Sequence, residues 1–208
     1  MRKGIKKALK RICYAPWAMI DRAIFLFHHT KCGKGLEAVG SVFVRNKGTI
    51  IIGAGVRIRS GRYANPIGCG NKTILRAFRN ACIRIGDHVK MSNCTICSQE
   101  HIEIGNETML GGGVRIFDTD FHALNPYIRM ELIDVIEHPC TKAVMIGKRC
   151  FIGADSIILK GSNIGDNSVI GAGSIVSGCI PPNEVWAGNP ARFIRKLKEE
   201  ELSCRVPI

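Results

Sequence analysis

The segment DTDFHALNP places Asp118, Asp120 and His122 at alternate positions, and these three carry the side chains best suited to chemistry in the chain. Imidazole changes charge near neutrality, so a histidine exposed beside a groove can remove the proton of a hydroxyl. A carboxylate two or four residues earlier can fix which ring nitrogen holds the proton. Position alone does not separate this general-base reading from that of a structural histidine. The remaining histidines are weaker candidates: His28 and His29 lie near the N-terminus, His88 takes an outward position, and His101 and His138 each follow directly on an acid, Glu100 and Glu137. No two histidines stand five apart, so a three-histidine zinc site containing an H-x4-H pair is not expected, and no metal is assigned. Cys94 and Cys97 form a lone C-x-x-C without a second pair at zinc-ribbon spacing. With the other cysteines of the ten they read as free thiols in a reducing compartment.

The elements that must hold Asp118, Asp120 and His122 are short repeated strands. From Ile146 to Pro181 the chain divides into six hexads, IGKRCF, IGADSI, ILKGSN, IGDNSV, IGAGSI and VSGCIP. An aliphatic residue opens each, and the fifth place holds Cys150, Ser156, Ser162, Ser168, Ser174 and Ile180. A period of six fits neither a helix nor a simple amphipathic strand. It fits short strands joined by tight turns, whose Gly, Asn and Asp residues supply conformations that β-branched residues resist. Three hexads make one triangular coil of about eighteen residues, and successive coils stack at ~4.8 Å. The aliphatic column fills the prism and the serine column sits at its corners.

The same register opens weakly between Gly33 and Arg62, predicting one or two opening coils. ANPIGCGNKTILRAFRNA (Ala64 to Ala81) breaks it and reads as an irregular coil or a crossing strand pair. The register restarts at Ile85, places Cys97 on an inward column, slips by one residue at Glu103 and then runs into DTDFH. Residues 123–143 have no hexad character, so they form a loop extruded from a corner. Long loops on such a scaffold usually carry function. Ala191 to Leu202 reads as a capping helix over the open end of the prism. The organisation is one elongated domain over 33–190, preceded by an arm over 1–32 and followed by a tail over 191–208.

A formal net charge of +13 and a pI near 9.5 call for an anionic partner: nucleic acid, an acidic membrane surface or a phosphorylated ligand. Arg2, Lys3, Lys6, Lys7, Lys10 and Arg11 alternate with apolar residues at helical spacing, without an acid among them. After Pro16 the apolar run WAMIDRAIFLFHH is interrupted by Asp21 and Arg22, short of the ~18 to 20 residues that cross a bilayer. Two short helical pieces are expected. Residues 1–27 either lie on an anionic membrane surface or dock their apolar face on the β-helix. The basic run lacks interleaved stacking aromatics, so nucleic acid is not an expected partner.

The hexads, followed by IPPNEVWAGNPARFIRKL (Ile180 to Leu197), resemble the hexapeptide-repeat acyltransferases. The nearest branch is that of the maltose, galactoside and surface-polysaccharide O-acetyltransferases, and the matching motifs run roughly from Ile83 to Leu197. The resemblance implies a left-handed parallel β-helix and a cytoplasmic homotrimer that uses acetyl-coenzyme A. The implied acceptor is a sugar hydroxyl, free or on a lipid-linked saccharide. It identifies His122 as the general base, with Asp118 and Asp120 beside it. The pantetheine arm of the donor is expected along Ala154, Gly171, Ala172 and Gly173, and its nucleotide end near Ser177, Trp186, Arg192 and Arg195. Arginine suits phosphate because its planar fork offers paired donors. Ser177-Gly178-Cys179 stands where many relatives carry Thr-Lys-Asp, which removes a lysine from the nucleotide end. Trp186 has two readings, stacking near the donor or covering the end of the core. Asn93 in MSNCTI is a candidate for acceptor or oxyanion contact and equally a corner residue. Other small hydroxyl acceptors, an antibiotic or serine, remain open. A non-catalytic scaffold is the alternative from another class, and the intact DTDFH segment stands against it.

Overall fold

The structure, a computed structural model, describes residues 19–67, 71–130 and 140–203. Each circuit of the chain lays one strand on each of three sheets. The first sheet stacks Lys31–Cys32 (β1), Thr49–Ile52 (β4), Cys82–Ile85 (β7), His101–Ile104 (β10), Val144–Ile146 (β13), Asn163–Ile164 (β16) and Cys179–Ile180 (β19). The second holds Glu37–Val39 (β2), Arg57–Arg59 (β5), Lys90–Ser92 (β8), Met109–Gly112 (β11), Phe151–Ile152 (β14), Val169–Ile170 (β17) and Glu184–Gly188 (β20). On the third lie Phe43–Asn46 (β3), Ile74–Ala77 (β6), Thr95–Ser98 (β9), Arg115–Phe117 (β12), Ile157–Ile158 (β15) and Ile175–Val176 (β18). All of these pair in parallel, as a solenoid requires. Two coils precede β7, so the weak early register does fold, and Ile74–Ala77 is a regular strand of the second coil rather than a crossing pair.

The prism is filled by three aliphatic columns. Ile52, Ile85, Ile104, Ile146 and Ile164 line the first sheet, Ile58, Met91, Leu110, Ile152 and Ile170 the second, and Leu75, Ile96, Ile116, Ile158 and Val176 the third, all essentially without solvent contact. Each such side chain contributes roughly 1.5–3 kcal/mol of apolar burial. Corners obey a different constraint. A Cβ at Gly147 would collide with Asp166 of the next coil, which explains the Ile-Gly opening of the hexads. The buried serines tie each corner to a neighbouring backbone carbonyl: Ser156 Oγ to Gly171 O at 3.0 Å, Ser162 Oγ to Val176 O at 3.1 Å and Ser168 Oγ to Pro181 O at 2.8 Å.

Three sequence expectations are corrected. The register slip lies not at Glu103 but at the Asn93 corner. Leu110 pairs with Met91 and Gly112 with Ser92, so the fourth coil carries one more residue there than the third. In consequence Ile96 occupies the inward column, and Cys97 pairs with Arg76 and Phe117 on the opposite side of the strand. The helix expected over Ala191–Leu202 is also replaced. Ala191–Lys196 is a strand (β21) that turns back antiparallel on β20, because an open edge and the residues Phe193 and Ile194 favour pairing over a solvent-exposed helix. Only one helical turn follows, Glu199–Leu202.

Before β1 the chain is helical over 19–27 (α1). The first expected helical piece, the basic stretch ahead of Pro16, lies outside the described residues. Phe25 of α1 is buried in the core cluster, and Asp21 Oδ1 accepts from Val42 N at 3.2 Å, so α1 closes the first-coil end of the prism. No helix among the described residues is long and apolar enough to cross a membrane.

Candidate active site

His122 leaves the prism at the corner between the third and first sheets of the fourth coil, just after β12. The turn that carries it is built from buried polar contacts. Asp118 is fully buried and its carboxylate accepts three hydrogen bonds from the equivalent corner of the coil below: Ser98 Oγ at 2.6 Å, Gln99 N at 2.7 Å and Glu100 N at 2.9 Å. Thr119 Oγ1 donates to Gln99 Oε1 at 2.6 Å and accepts from Phe121 N at 3.0 Å. Asp120 Oδ2 meets Lys160 Nζ of the coil above at 3.0 Å. That contact is also the main reason the Lys160 ammonium holds its proton more tightly than usual.

The two strands of the loop close into a neck. Thr119 bridges Thr141, Asp120 N donates to Cys140 O at 3.2 Å and Lys142 N to Asp118 O at 2.9 Å. Beyond the neck, Pro126–Arg129 forms a helical turn (α2), capped by Asn125 Oδ1 accepting from Tyr127 N at 2.9 Å. Phe121 takes φ +64°, a conformation that costs a bulky residue roughly 1–2 kcal/mol, and its ring sits edge-on to Phe117 at 5.2 Å. The surrounding contacts force that bend. It turns the exposed His122 outward at the mouth of the loop.

Of the carboxylates expected beside His122, Asp118 thus spends both oxygens on the coil below and Asp120 faces Lys160. Each fixes the segment that carries the histidine. Asn93 is the corner residue of its two readings. It takes φ +53°, its Oδ1 accepts from Gly61 N at 2.8 Å, and its Nδ2 donates to Asn65 O at 2.8 Å and Ile67 O at 2.7 Å. Both amide protons are therefore consumed in holding the excursion over 61–67, and none remains for an oxyanion.

The residues expected at the donor fall into separate groups. Ala154, Gly171, Ala172 and Gly173 stack on the corner between the second and third sheets, where Gly173 N donates to Ala154 O at 2.8 Å. Ala154 also borders an open groove of about 480 Å³ on the second sheet, lined by Arg57, Lys90, Met109, Phe151 and Ile67. Ser177, Trp186 and Arg192 converge on a small cavity of about 100 Å³ at the last coil, beside Gly178, Cys179 and Pro190. Ser177 shares its edge of the prism with Lys160 and with the neck below His122. Trp186 Nε1 donates to Glu184 Oε2 at 2.8 Å, and its ring packs on the core and edge-on to Phe193, so it covers the end of the core. Arg195 donates from both terminal guanidinium nitrogens, Nη1 and Nη2, to Glu201 at 2.7 Å each, and this pair holds the Glu201 carboxyl down to about 2. Its fork serves the tail.

Sequence reasoning missed Ser98, Gln99 and Lys160, which fix the neck, and the cationic side of the groove, Arg57 and Lys90. Lys160 is the one charged residue of its hexad, ILKGSN, and that was the available signal. Among the described residues no three His, Cys, Asp or Glu side chains converge to hold a metal.

Comparison with known proteins adds a second line of observation. The family model described as the hexapeptide repeat of succinyl-transferase matches residues 143–177. The chain is 31% identical over 162 residues to the Escherichia coli protein WbbJ, which carries a provisional name as a lipopolysaccharide biosynthesis O-acetyl transferase; the match covers 76% of this chain and 77% of that one. It is 38% identical over 109 residues to the galactoside O-acetyltransferase of Escherichia coli, covering 52% of this chain and 51% of the relative, so it spans about half the length of that enzyme. Among solved structures, a hexapeptide-repeat acetyltransferase from Vibrio cholerae in complex with acetyl-coenzyme A is 26% identical, covers 62% of this chain and 69% of its own, and superposes with a TM-score of 0.50.

Proposed function

Because this chain belongs to the hexapeptide-repeat acetyltransferases, enzymes of the left-handed parallel β-helix, we propose that it moves an acetyl group from acetyl-coenzyme A to a sugar hydroxyl. The acceptor is a saccharide of a surface polysaccharide or its lipid-linked precursor, a reading supported by the likeness to WbbJ. The observation that carries the proposal is the neck: a buried carboxylate, Asp118, with three donors on it, and a strained Phe121 that turns His122 outward.

In this mechanism His122 takes the proton of the acceptor hydroxyl as its oxygen attacks the thioester carbonyl. The tetrahedral oxyanion is held by backbone N–H groups, and its collapse breaks the C–S bond. The imidazolium then returns its proton to the departing sulfur. Asp118 and Asp120 act on the histidine by fixing the backbone that leads into it.

The donor is bound against the small-residue corner of Ala154, Ala172 and Gly173, with its phosphates toward cationic side chains. In one protomer that corner and the His122 edge are different edges of the prism. A complete site therefore pairs the His122 edge of one prism with the Ala154 corner of another, as a closed homotrimer provides. Coenzyme A release from acetyl-coenzyme A across a panel of sugars, nucleotide sugars, serine and aminoglycosides tests the proposal. Turnover with a saccharide alone supports it. Binding of acetyl-coenzyme A without turnover on any saccharide would contradict it.

A further inference from the structure

We infer that the outward face of α1 is a docking surface for an anionic lipid bilayer. The helix is inverted relative to an ordinary surface helix, because it buries its acid and exposes its large apolar residues. Met19, Ile20, Leu26 and Phe27 are 75, 49, 66 and 80% exposed. At 100° per residue, these positions together with exposed Ala23 and Arg22 fall within an arc of about 160°. The opposite arc carries Asp21, Ile24, Phe25 and His28, and this is the arc that meets the first coil, through Phe25 in the core and the bond from Val42 N to Asp21 Oδ1. The apolar arc therefore points away from the prism except at its Arg22 and Leu26 edge, which borders a cleft of about 410 Å³ over the first coil. Four large apolar side chains gathered within residues 19–27 are not the scattered singles of a normal surface.

Charge selects the occupant. Arg22 on the arc and Lys34 beside its Leu26 edge are exposed, and the sequence leading into α1 carries Arg2, Lys3, Lys6, Lys7, Lys10 and Arg11 without an acid. A second copy on this face would bring like charges together, which opposes self-association. An apolar wedge with a cationic rim fits the headgroup and acyl boundary of an anionic leaflet, where basic residues and buried apolar area act together. The contact is interfacial, since no helix among the described residues is long and apolar enough to span.

A consequence rests on the acetyltransferase reading. In the first sheet the order β1-β4-β7-β10 puts the His122 corner three strand steps from the α1 end, about 14 Å at ~4.8 Å per step. A bilayer under α1 would hold the site at the height of the first sugars of a lipid-linked saccharide.

The test is co-sedimentation of the full chain with phosphatidylcholine vesicles, with and without about one third phosphatidylglycerol. Wild type is compared with the double variant Leu26→Ser, Phe27→Ser. We expect binding to the anionic vesicles and a loss of roughly 100-fold in the double variant, about tenfold per side chain. Thermal unfolding and coenzyme A release with a water-soluble acceptor should be unchanged, because both side chains are exposed. The docking inference is overturned if wild type does not bind, or if the double variant binds as tightly as wild type. It is equally overturned if light scattering shows the double variant to have a lower oligomeric state, since a second copy then covers the face. None of these outcomes depends on whether the protein transfers acetyl groups.

Discussion

The Ser98 hydroxyl donates to Asp118 Oδ2 at 2.6 Å and so ties the corner that carries His122 to the coil beneath it. Two backbone N–H groups complete the carboxylate's shell. Asp118→Asn keeps the shape but turns an amide N–H₂ toward donors, so we expect a loss of about 2–4 kcal/mol in unfolding free energy. Coenzyme A release should also fall at saturating donor. Denaturant unfolding beside steady-state kinetics checks both. An unchanged kcat in a destabilised Asn variant would limit Asp118 to packing.

Lys160 reaches down to Asp120 across one coil step. Both side chains are about 30% exposed, at 28% and 29%, so the pair is worth at most ~1 kcal/mol to folding. Its effect should appear in turnover. Lys160→Met is expected to lower kcat/KM several-fold while the melting temperature barely moves, and raised salt should weaken the wild type in the same direction. A variant with wild-type kcat/KM would remove Lys160 from the positioning of the neck.

Asn93 pins the 61–67 excursion through three side-chain bonds. Asn93→Ala removes the donor to the Asn65 and Ile67 carbonyls and leaves Gly61 N only its longer bond to Asn71 O at 3.2 Å, so a loss of roughly 1–3 kcal/mol is expected, with partial turnover retained below the melting transition. Abolished turnover in a variant of wild-type stability would return Asn93 to the reacting centre.

Burial lifts the Asp21 carboxyl from 3.8 to about 6, while the bond from Val42 N opposes the shift. Its second oxygen has no hydrogen-bond partner among the described residues. Between these values the folded chain binds more proton than the unfolded one, so this group makes stability fall as pH rises from about 4 to about 6 and level off above, by about 1–3 kcal/mol. Asp21→Asn keeps an acceptor for Val42 N and should flatten that slope and raise stability at neutral pH. Unfolding midpoints measured from pH about 4 to about 8 check it; an unchanged slope in the Asn variant would contradict the assignment.

The hexads after Ile146 were legible because each strand's side-chain direction follows from its place in a six-residue unit, and the buried serine column came with them. The Asn93 corner was not, since a one-residue slip is invisible until Leu110 and Met91 are seen as partners. At the C-terminus, the need to cover the open end of the prism suggested a capping helix from Ala191, but the free edge of β20 took Ala191–Lys196 as a strand, which covers that edge by pairing with it. His122 stood out by type and neighbours. That Asp118 would turn to Ser98, and Asp120 to Lys160, depended on which corners stack, which the linear spacing of DTDFH does not contain.

Coenzyme A release by His122→Ala tests the central claim most directly, measured beside wild type with the best acceptor and with acetyl-coenzyme A binding followed by calorimetry. We predict that turnover falls by about 10²–10⁴-fold while donor affinity stays within a few-fold of wild type. Turnover within about tenfold of wild type would contradict the assignment of His122 as the base.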